Sequence, residues 1–180
     1  MNEYYKVDAH GNILGAFLFE DDDVIPPDHY PGWGGRAFYM PIYSRELGDW
    51  IEGLSIEEIM KPRREMKAAE LSDQCETVIK YGFYHEGDFF AFYDKDQMNF
   101  GQQLSLMLVD ETILTTLWKT ENNGIKQFTR QQFIDICKAG ERHKRANIGH
   151  FWQLKNYVLT HDFATVEELD AINFGTELAP

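Results

Sequence analysis

The stretch that decides the fold is Leu117–Phe133, which reads LWKTENNGIKQFTRQQF. A short apolar strand that carries Trp118 leads into Asn123-Gly124, a dipeptide typical of tight hairpin turns. The chain then returns as a second strand that ends near Phe128. We therefore expect a β-hairpin in which Trp118 and Phe128 face each other.

Three capping boxes mark helix starts, at Ser55, Thr129 and Thr165. In each, the hydroxyl can accept a hydrogen bond from the backbone amide three residues later, and the side chain there can return one. We expect the first of these helices to be short and to end by Pro62, because proline disfavours helical geometry in the residue before it. A domain boundary is placed near Lys61-Pro62.

The pattern from residue 62 onward is mainly helical. Apolar residues at three- and four-residue steps predict helices over 63–81 and 97–109 and in a long run after Thr129. Gly140 and Gly149 are candidate break points in that run, since each costs roughly 1 kcal/mol relative to alanine inside a helix. Between the first two helices, Phe83–Tyr93 reads as an aromatic hairpin.

The N-terminal part reads as β structure around a long loop. Tyr4–Val7 and Ile13–Phe19 form a hairpin signal, with Gly11 available for a positive φ. The proline- and glycine-rich segment 20–35 is expected to lack regular structure. Arg36–Tyr43 resumes as a strand at a sheet edge, because it contains a proline.

These patterns together predict an α+β fold. It consists of a small β-rich N-terminal module over residues 1–61, followed by a mainly helical domain over residues 62–180 that carries two β-hairpins.

Charge disfavours several classes of partner. The chain has 17 Lys plus Arg against 30 Asp plus Glu, a formal net charge of -13. Such a surface repels nucleic-acid phosphate and anionic lipid, so we expect neither nucleic-acid binding nor membrane insertion. No run approaches the ~20 apolar residues of a membrane span. The N-terminus lacks the pattern of a signal peptide, so we expect synthesis and folding in a cytoplasm.

No residue pattern indicates catalysis, a cofactor or a metal. Cys75 and Cys137 lie among apolar residues and read as buried, unreactive thiols. His143 and His150 are seven residues apart, whereas a zinc pair on one helix is normally four apart. The acidic run 20–23 lacks the spacing and the glycine of a calcium loop. We therefore expect a protein that is not an enzyme.

The segment PGWGG at 31–35 suggests a different role. An aromatic side chain on a polar loop is a common interface anchor. We predict partner contacts for Trp33 and for the edge residues Phe38, Tyr39 and Tyr43. Replacing Trp33 with alanine should then weaken partner binding by ~2 kcal/mol or more with little change in melting temperature, whereas a large loss of stability would indicate a core residue.

The portion 63–174 resembles an uncharacterised C-terminal domain family of bacteriophage and prophage tail and tail-fibre-associated proteins. The residues that carry the resemblance are the helix Arg64–Ile79 with Cys75, Gly82-Phe83, Asp96–Phe100, Trp118–Thr120, Asn122, Phe128-Thr129, Phe133, Trp152, Leu154-Lys155, Thr165, Glu167–Leu169 and Ile172. The family brings no catalytic residue or cofactor. It implies a non-enzymatic role in the tail, with tail-fibre or baseplate proteins as partners.

The N-terminal part is similar to the β modules that begin tail-fibre assembly proteins, through Tyr5, Asp8 and Gly11 and the later proline-rich loop. Two functions stay open. One is a structural component of the virion tail, near the tip, baseplate or fibre attachment, as a monomer or an oligomer. The other is an assembly chaperone that binds the fibre tip during folding. A small hydrolase or carbohydrate-binding module is a third possibility, which would need a carboxylate cleft or an exposed aromatic platform.

Overall fold

A computed structural model describes residues 1–178 of the chain. The chain separates into two compact units, Met1–Arg63 and a second one that begins at Arg64. Strands form the first unit and helices dominate the second, so the predicted α+β class with β-hairpins is confirmed.

The N-terminal unit contains five strands in two antiparallel sheets. The first sheet has the order β2-β1-β3, and the second pairs β4 with β5. The strands are β1 Asn2–Val7, β2 Ile13–Phe19, β3 His29–Pro31, β4 Pro41–Ser44 and β5 Asp49–Glu52. The predicted first hairpin is confirmed, and Gly11 in its turn has a φ of 87°.

Two predictions for this unit are wrong. The segment 20–35 is not wholly irregular, because β3 within it pairs with β1. The strand predicted over Arg36–Tyr43 begins only at Pro41 and pairs with β5, which the sequence reading missed. Long-range contacts decide both cases. Strand β3 pairs with β1, whereas β4 pairs with β5 and donates the backbone N–H of Tyr43 to the Gly11 carbonyl at 3.0 Å.

The helix that begins after Ser55 is much longer than predicted. Helix α1 spans Ile56–Tyr81 and continues through Pro62. Its capping box is confirmed, with Ser55 Oγ accepting from the Glu58 amide at 3.3 Å and Glu58 Oε2 accepting from the Ser55 amide at 2.8 Å. Buried apolar residues lie on both sides of the proline, and they outweigh its local preference: Ile59, Met60, Ala68 and Leu71.

This continuous helix gives a direct prediction for Pro62. Proline inside a helix removes one backbone hydrogen bond and crowds the preceding turn. We expect Pro62→Ala to raise the free energy of unfolding by about 1–3 kcal/mol, because alanine restores the missing N–H. Thermal denaturation of both proteins measures the change. An unchanged or lower melting temperature would show that the proline sets a geometry the chain needs.

The C-terminal unit packs three long helices, one of them the C-terminal part of α1, and two hairpins around an aromatic core. The hairpins are β6 Phe83–His85 with β7 Asp88–Phe90, and β8 Thr115–Thr120 with β9 Gly124–Thr129. The further helices are α2 Asp94–Val109, α3 Arg130–Thr160 and α4 Val166–Asp170. Fully buried core residues include Phe90, Met107, Phe133 and Ile136. Helix α2 buries Met107 completely and leaves Leu108 59% exposed.

Helix α3 runs without a break through both glycines. Gly140 is buried because the rings of Phe83 and Phe92 lie against its backbone, and a Cβ there would come within 2.9 Å of the Phe83 ring. The glycine therefore permits close packing instead of ending the helix. The capping box of Thr129 and Gln132 at its start is confirmed.

The hairpin in the deciding stretch is confirmed, but its register is not the predicted one. Trp118 pairs with Lys126, and Phe128 pairs with Thr116, so Trp118 and Phe128 do not face each other directly. The turn holds three residues between Thr120 and Gly124 rather than an Asn-Gly pair. The Thr120 hydroxyl stabilises this longer turn, accepting from the Asn123 amide at 3.1 Å and donating to the Gly124 carbonyl at 2.9 Å.

The two asparagines of this turn join the two hairpins. Asn122 Oδ1 accepts from the Phe89 amide at 2.8 Å, and the Asn123 side chain donates to Asp88 Oδ1 at 2.7 Å. Asp88 is buried and its other oxygen pairs with Lys126 Nζ at 2.6 Å. The Lys126 ammonium and the Asn123 amide hold the pKa of Asp88 below its ordinary value.

The buried Asp88 carboxylate at this junction makes the free energy of unfolding depend on pH. The pKa of Asp88 is lower in the folded chain than in the unfolded chain. The Asp88 carboxylate therefore stabilises the fold at pH values above its unfolded-state pKa, and this stabilisation is lost as the pH falls through its folded-state pKa. We expect Asp88→Asn to lower stability at pH 7 by about 1–3 kcal/mol and to flatten the loss seen below about pH 4. Urea denaturation across that pH range tests this. A variant that keeps the wild-type acid profile would assign the dependence to other carboxylates.

Candidate partner interface

Strand β2 is an open, apolar edge of the N-terminal sheet. Its sequence ILGAFLF contains no charged residue. In the order β2-β1-β3 it pairs with β1 on one side. Within residues 1–178, β4 reaches the other side only at Asn12, which precedes β2 and forms a bridge to Ile42, so Ile13–Phe19 has no strand partner there. Its large side chains remain exposed, with Leu14 at 62%, Phe17 at 43% and Leu18 at 64%. Natural sheets usually protect such an edge with charges, prolines or a covering segment.

The register of β1 with β2 sorts the aromatic residues onto two faces of this sheet. Phe17 and Phe19 lie opposite Tyr4 and Asn2, and both rings contact His29, with centroid distances of 5.0 and 5.7 Å. These side chains are partly exposed to solvent. One face of the sheet therefore presents a band of aromatic rings beside the open edge.

The opposite face packs against the segment that holds the predicted contact residues. The ring of Trp33 lies 4.8 Å from Tyr5 and 5.3 Å from Trp50, and Tyr43 lies 5.4 Å from Trp50 and stacks on Tyr30 at 3.5 Å. Trp33 and Tyr43 are half-buried. This packing favours the second outcome given above for Trp33→Ala, a loss of stability, and leaves the predicted partner contact untested.

The other two predicted contact residues lie differently. Phe38 is half-buried, 6.5 Å from the ring of Trp33. Tyr39 is 52% exposed, and its ring lies beneath the guanidinium of Arg63 at 5.6 Å. Tyr39 is therefore the most exposed of the four residues, whereas Trp33 and Tyr43 both pack against Trp50.

Sequence reasoning missed the residue that organises this cluster. Trp50 is 3% exposed, and its indole N–H donates to the Pro31 carbonyl at 2.7 Å. The signal was present: Asp49-Trp50-Ile51-Glu52 follows a Leu47-Gly48 turn and has the composition of a short strand.

A surrounding set of acidic and basic side chains fixes the loops of this unit. Arg36 forms a bidentate ion pair with Asp49, with distances of 2.6 and 2.8 Å between the guanidinium nitrogens and the carboxylate oxygens. Arg45 joins Asp28 at 2.7 Å. The Arg36 guanidinium lowers the pKa of Asp49. The exposed acidic run 20–23 follows directly after β2, so the open edge ends in negative charge.

Family models match both parts of this chain. DUF4376, a domain of unknown function, matches residues 62–173. The chain belongs to the DUF4376 family. Residues 1–61 match the phage YomQ N-terminal domain, so the open edge and the aromatic cluster both lie within a phage-associated domain. No curated protein and no solved structure matches the chain.

In the DUF4376 part, the two cysteines are largely shielded from solvent and two of the histidines lie close to backbone carbonyls. Cys75 and Cys137 are free thiols, and burial raises the pKa of both, that of Cys137 to about 11, which disfavours the reactive thiolate. His143 Nε2 lies 3.3 Å from the Val78 carbonyl, and His150 Nε2 lies 2.8 Å from that of Phe174.

Residues 1–178 contain neither a cluster of metal-ligating side chains nor a membrane-spanning helix. No three side chains of His, Cys, Asp or Glu converge there in a group that could hold a metal ion. No helix in that range is both long and apolar enough to cross a membrane.

Proposed function

We propose that this phage-associated protein is a non-enzymatic structural component of the tail, in the tip, baseplate or fibre-attachment region, and that it acts by binding tail-fibre or baseplate proteins. The open apolar edge of β2 carries this proposal. A seven-residue strand without charge, with three large exposed side chains, is a surface that a partner chain normally covers.

The chemistry of the edge defines the contact. Alternate residues of β2 direct their backbone N–H and C=O groups away from β1, toward solvent. A partner strand can satisfy these groups, while its side chains pack on Leu14 and Leu18. The acidic run at the end of β2 favours a partner with lysine or arginine beside its apolar strand. Tyr39 and the neighbouring Met40, which is 41% exposed, offer a second contact on the same unit.

A charge placed on the edge tests this contact. We expect Leu18→Lys to weaken partner capture at least tenfold, because the ammonium would have to lose its water beneath the partner strand. Binding is measured by pull-down of tail proteins from phage-producing cells with the tagged full-length chain. The matched control is Leu47→Lys, which changes a leucine that is 70% exposed in the turn between β4 and β5. Equal capture by both variants would exclude β2 as the interface.

An assembly chaperone is the second candidate, because it would use the same exposed edge while the fibre folds. Mass spectrometry of purified particles distinguishes the two functions. A structural component is present in a fixed ratio to the tail proteins. Absence from purified particles, with capture of tail proteins in the cell, would instead establish the chaperone.

A further inference from the structure

The DUF4376 part contains a second surface, which is polar. A groove of about 610 Å³ lies between helix α2 and strand β8. Its walls are formed by two sets of residues: Asp96, Asn99, Gln102, Gln103 and Leu106 from α2, and Leu117, Trp118 and Lys119 from β8. Ala91 and Glu121 complete the lining. The volume is within the range of small-ligand sites.

The β8 wall is a strand edge that β7 covers only at its C-terminal end, where the Glu121 amide donates to the Phe89 carbonyl. Backbone hydrogen bonds of an antiparallel strand alternate in direction. The Leu114 carbonyl accepts from the Arg130 amide, so the backbone N–H and C=O groups of even-numbered β8 residues face β9. The Glu121 amide donates to the Phe89 carbonyl, so those of odd-numbered residues face the other side. Leu117 and Lys119 therefore direct their backbone groups away from β9. Among the described residues, no backbone bond joins either of them to the chain near Ala91.

The α2 wall carries side-chain amides that have no partner. Asn99, Gln102 and Gln103 are three and four residues apart and therefore lie on one helix face. Within residues 1–178 none of the three side chains forms a hydrogen bond. By contrast, Gln97 on the same helix donates to the Phe92 carbonyl and accepts from Lys144. An amide group both donates and accepts, as the main chain of a polypeptide does.

We propose that this groove binds an extended segment of a partner polypeptide by strand addition to β8. The segment's main chain would pair with Leu117 and Lys119 on one side and with the α2 amides on the other. An apolar side chain of the segment would rest on Leu106 and Leu117, which are 52% and 68% exposed. A sugar is disfavoured because the Trp118 ring is stacked on Phe100 at 4.4 Å and contacts Phe133, so it offers no free platform.

The inference goes beyond the proposed function, since it assigns a ligand class to the DUF4376 part and holds whether or not the chain stays in the particle. The probe is a random heptapeptide display library selected on the full-length protein. We expect enrichment of peptides with alternating apolar residues. Their affinities for purified variants are then measured by fluorescence polarisation.

Two prolines form the decisive pair of variants. Leu117→Pro removes the N–H that faces the groove, and we expect at least a tenfold loss of peptide affinity. Gln127→Pro is the matched control, because Gln127 pairs with Leu117 and its N–H points away from β8. It should bind the peptides as the wild type does. Asn99→Ala with Gln103→Ala removes the opposite wall without touching a strand, and we expect about a tenfold loss.

Each outcome decides the inference. Failure to enrich any peptide would overturn it, as would enriched peptides that bind all the variants equally. Loss of binding in the double alanine variant together with full binding by folded Leu117→Pro would indicate a peptide bound through the protein's side chains alone, and would also overturn strand addition. If Leu117→Pro unfolds by circular dichroism, an enriched peptide that is N-methylated on alternate amides decides, because strand addition predicts a loss of its affinity for the wild-type protein and an unchanged affinity would overturn it.

Discussion

Replacing Trp50 with alanine is expected to unfold the N-terminal unit while the DUF4376 part stays folded. The indole is 3% exposed, contacts Tyr5, Trp33 and Tyr43, and donates to the Pro31 carbonyl. Truncation of a buried tryptophan lowers stability by about 3–5 kcal/mol. A unit as small as Met1–Arg63 has little stability to spare, so this loss is comparable to the whole.

Hydrogen exchange followed by mass spectrometry reports the two units separately. We expect peptides from β1 to β5 to lose protection in Trp50→Ala, and peptides from α2 and α3 to keep it. The control is Tyr39→Ala, which removes an exposed ring with a cation–π contact to Arg63 and should cost less than about 1 kcal/mol. Preserved protection in Trp50→Ala would show that the aromatic cluster does not hold this unit together.

The second large effect is expected at Gly82, between α1 and β6. Its φ is 121°, and an added Cβ would lie 2.1 Å from the carbonyl oxygen of Phe90. Alanine at this position would therefore have to adopt an unfavourable backbone conformation. Its Cβ would also clash with the backbone of Phe90, which cannot move aside as a flexible side chain could. We expect Gly82→Ala to lower the free energy of unfolding by more than about 3 kcal/mol.

Gly87 is the matched control for this substitution. It lies in the turn of the same hairpin with a φ of 82°, but an added Cβ there meets nothing within 4 Å. Gly87→Ala should therefore lower the free energy of unfolding only by the cost of the positive φ for alanine, about 1–2 kcal/mol. Urea denaturation of both variants measures the difference. Equal losses would mean that the approach of Phe90 to Gly82 adds nothing.

Local sequence patterns predicted which helices and strands form more accurately than the residues at which they end. Capping boxes, turn glycines and apolar periodicity identified the helices and both C-terminal hairpins, because these signals lie within a few residues of each other. The predicted helix end at Pro62 rests on the effect of proline on the preceding residue, which is local. The buried residues on both sides of it, which decide the outcome, become visible only in the folded chain.

The hairpin register failed for the same reason. Asn123-Gly124 indicates a two-residue turn when it is considered alone, yet Asn122 and Asn123 bind the neighbouring hairpin at Phe89 and Asp88. Those partners are more than thirty residues away in sequence. The three-residue turn that results shifts every pair along β8 and β9.

The candidate contact residues show the same limit. An aromatic residue in a glycine-rich loop has the composition of an anchor, and nothing local reveals that Trp33 packs on Tyr5 and Trp50. The open edge was equally hidden. Ile13–Phe19 was recognised as a strand, but its place at the margin of the sheet depends on β3 pairing with β1 on the other side.

The most direct test of the account is photo-crosslinking from the β2 edge in assembled particles. Phage are produced with a photoreactive amino acid at Leu18, purified, irradiated and analysed by mass spectrometry, with the same label at Leu47 as the reference. The account predicts that label at Leu18 crosslinks in high yield to one tail-fibre or baseplate protein, and that label at Leu47 does not. Retention of the protein in particles without any crosslink specific to Leu18 would contradict the claim that this edge binds the tail.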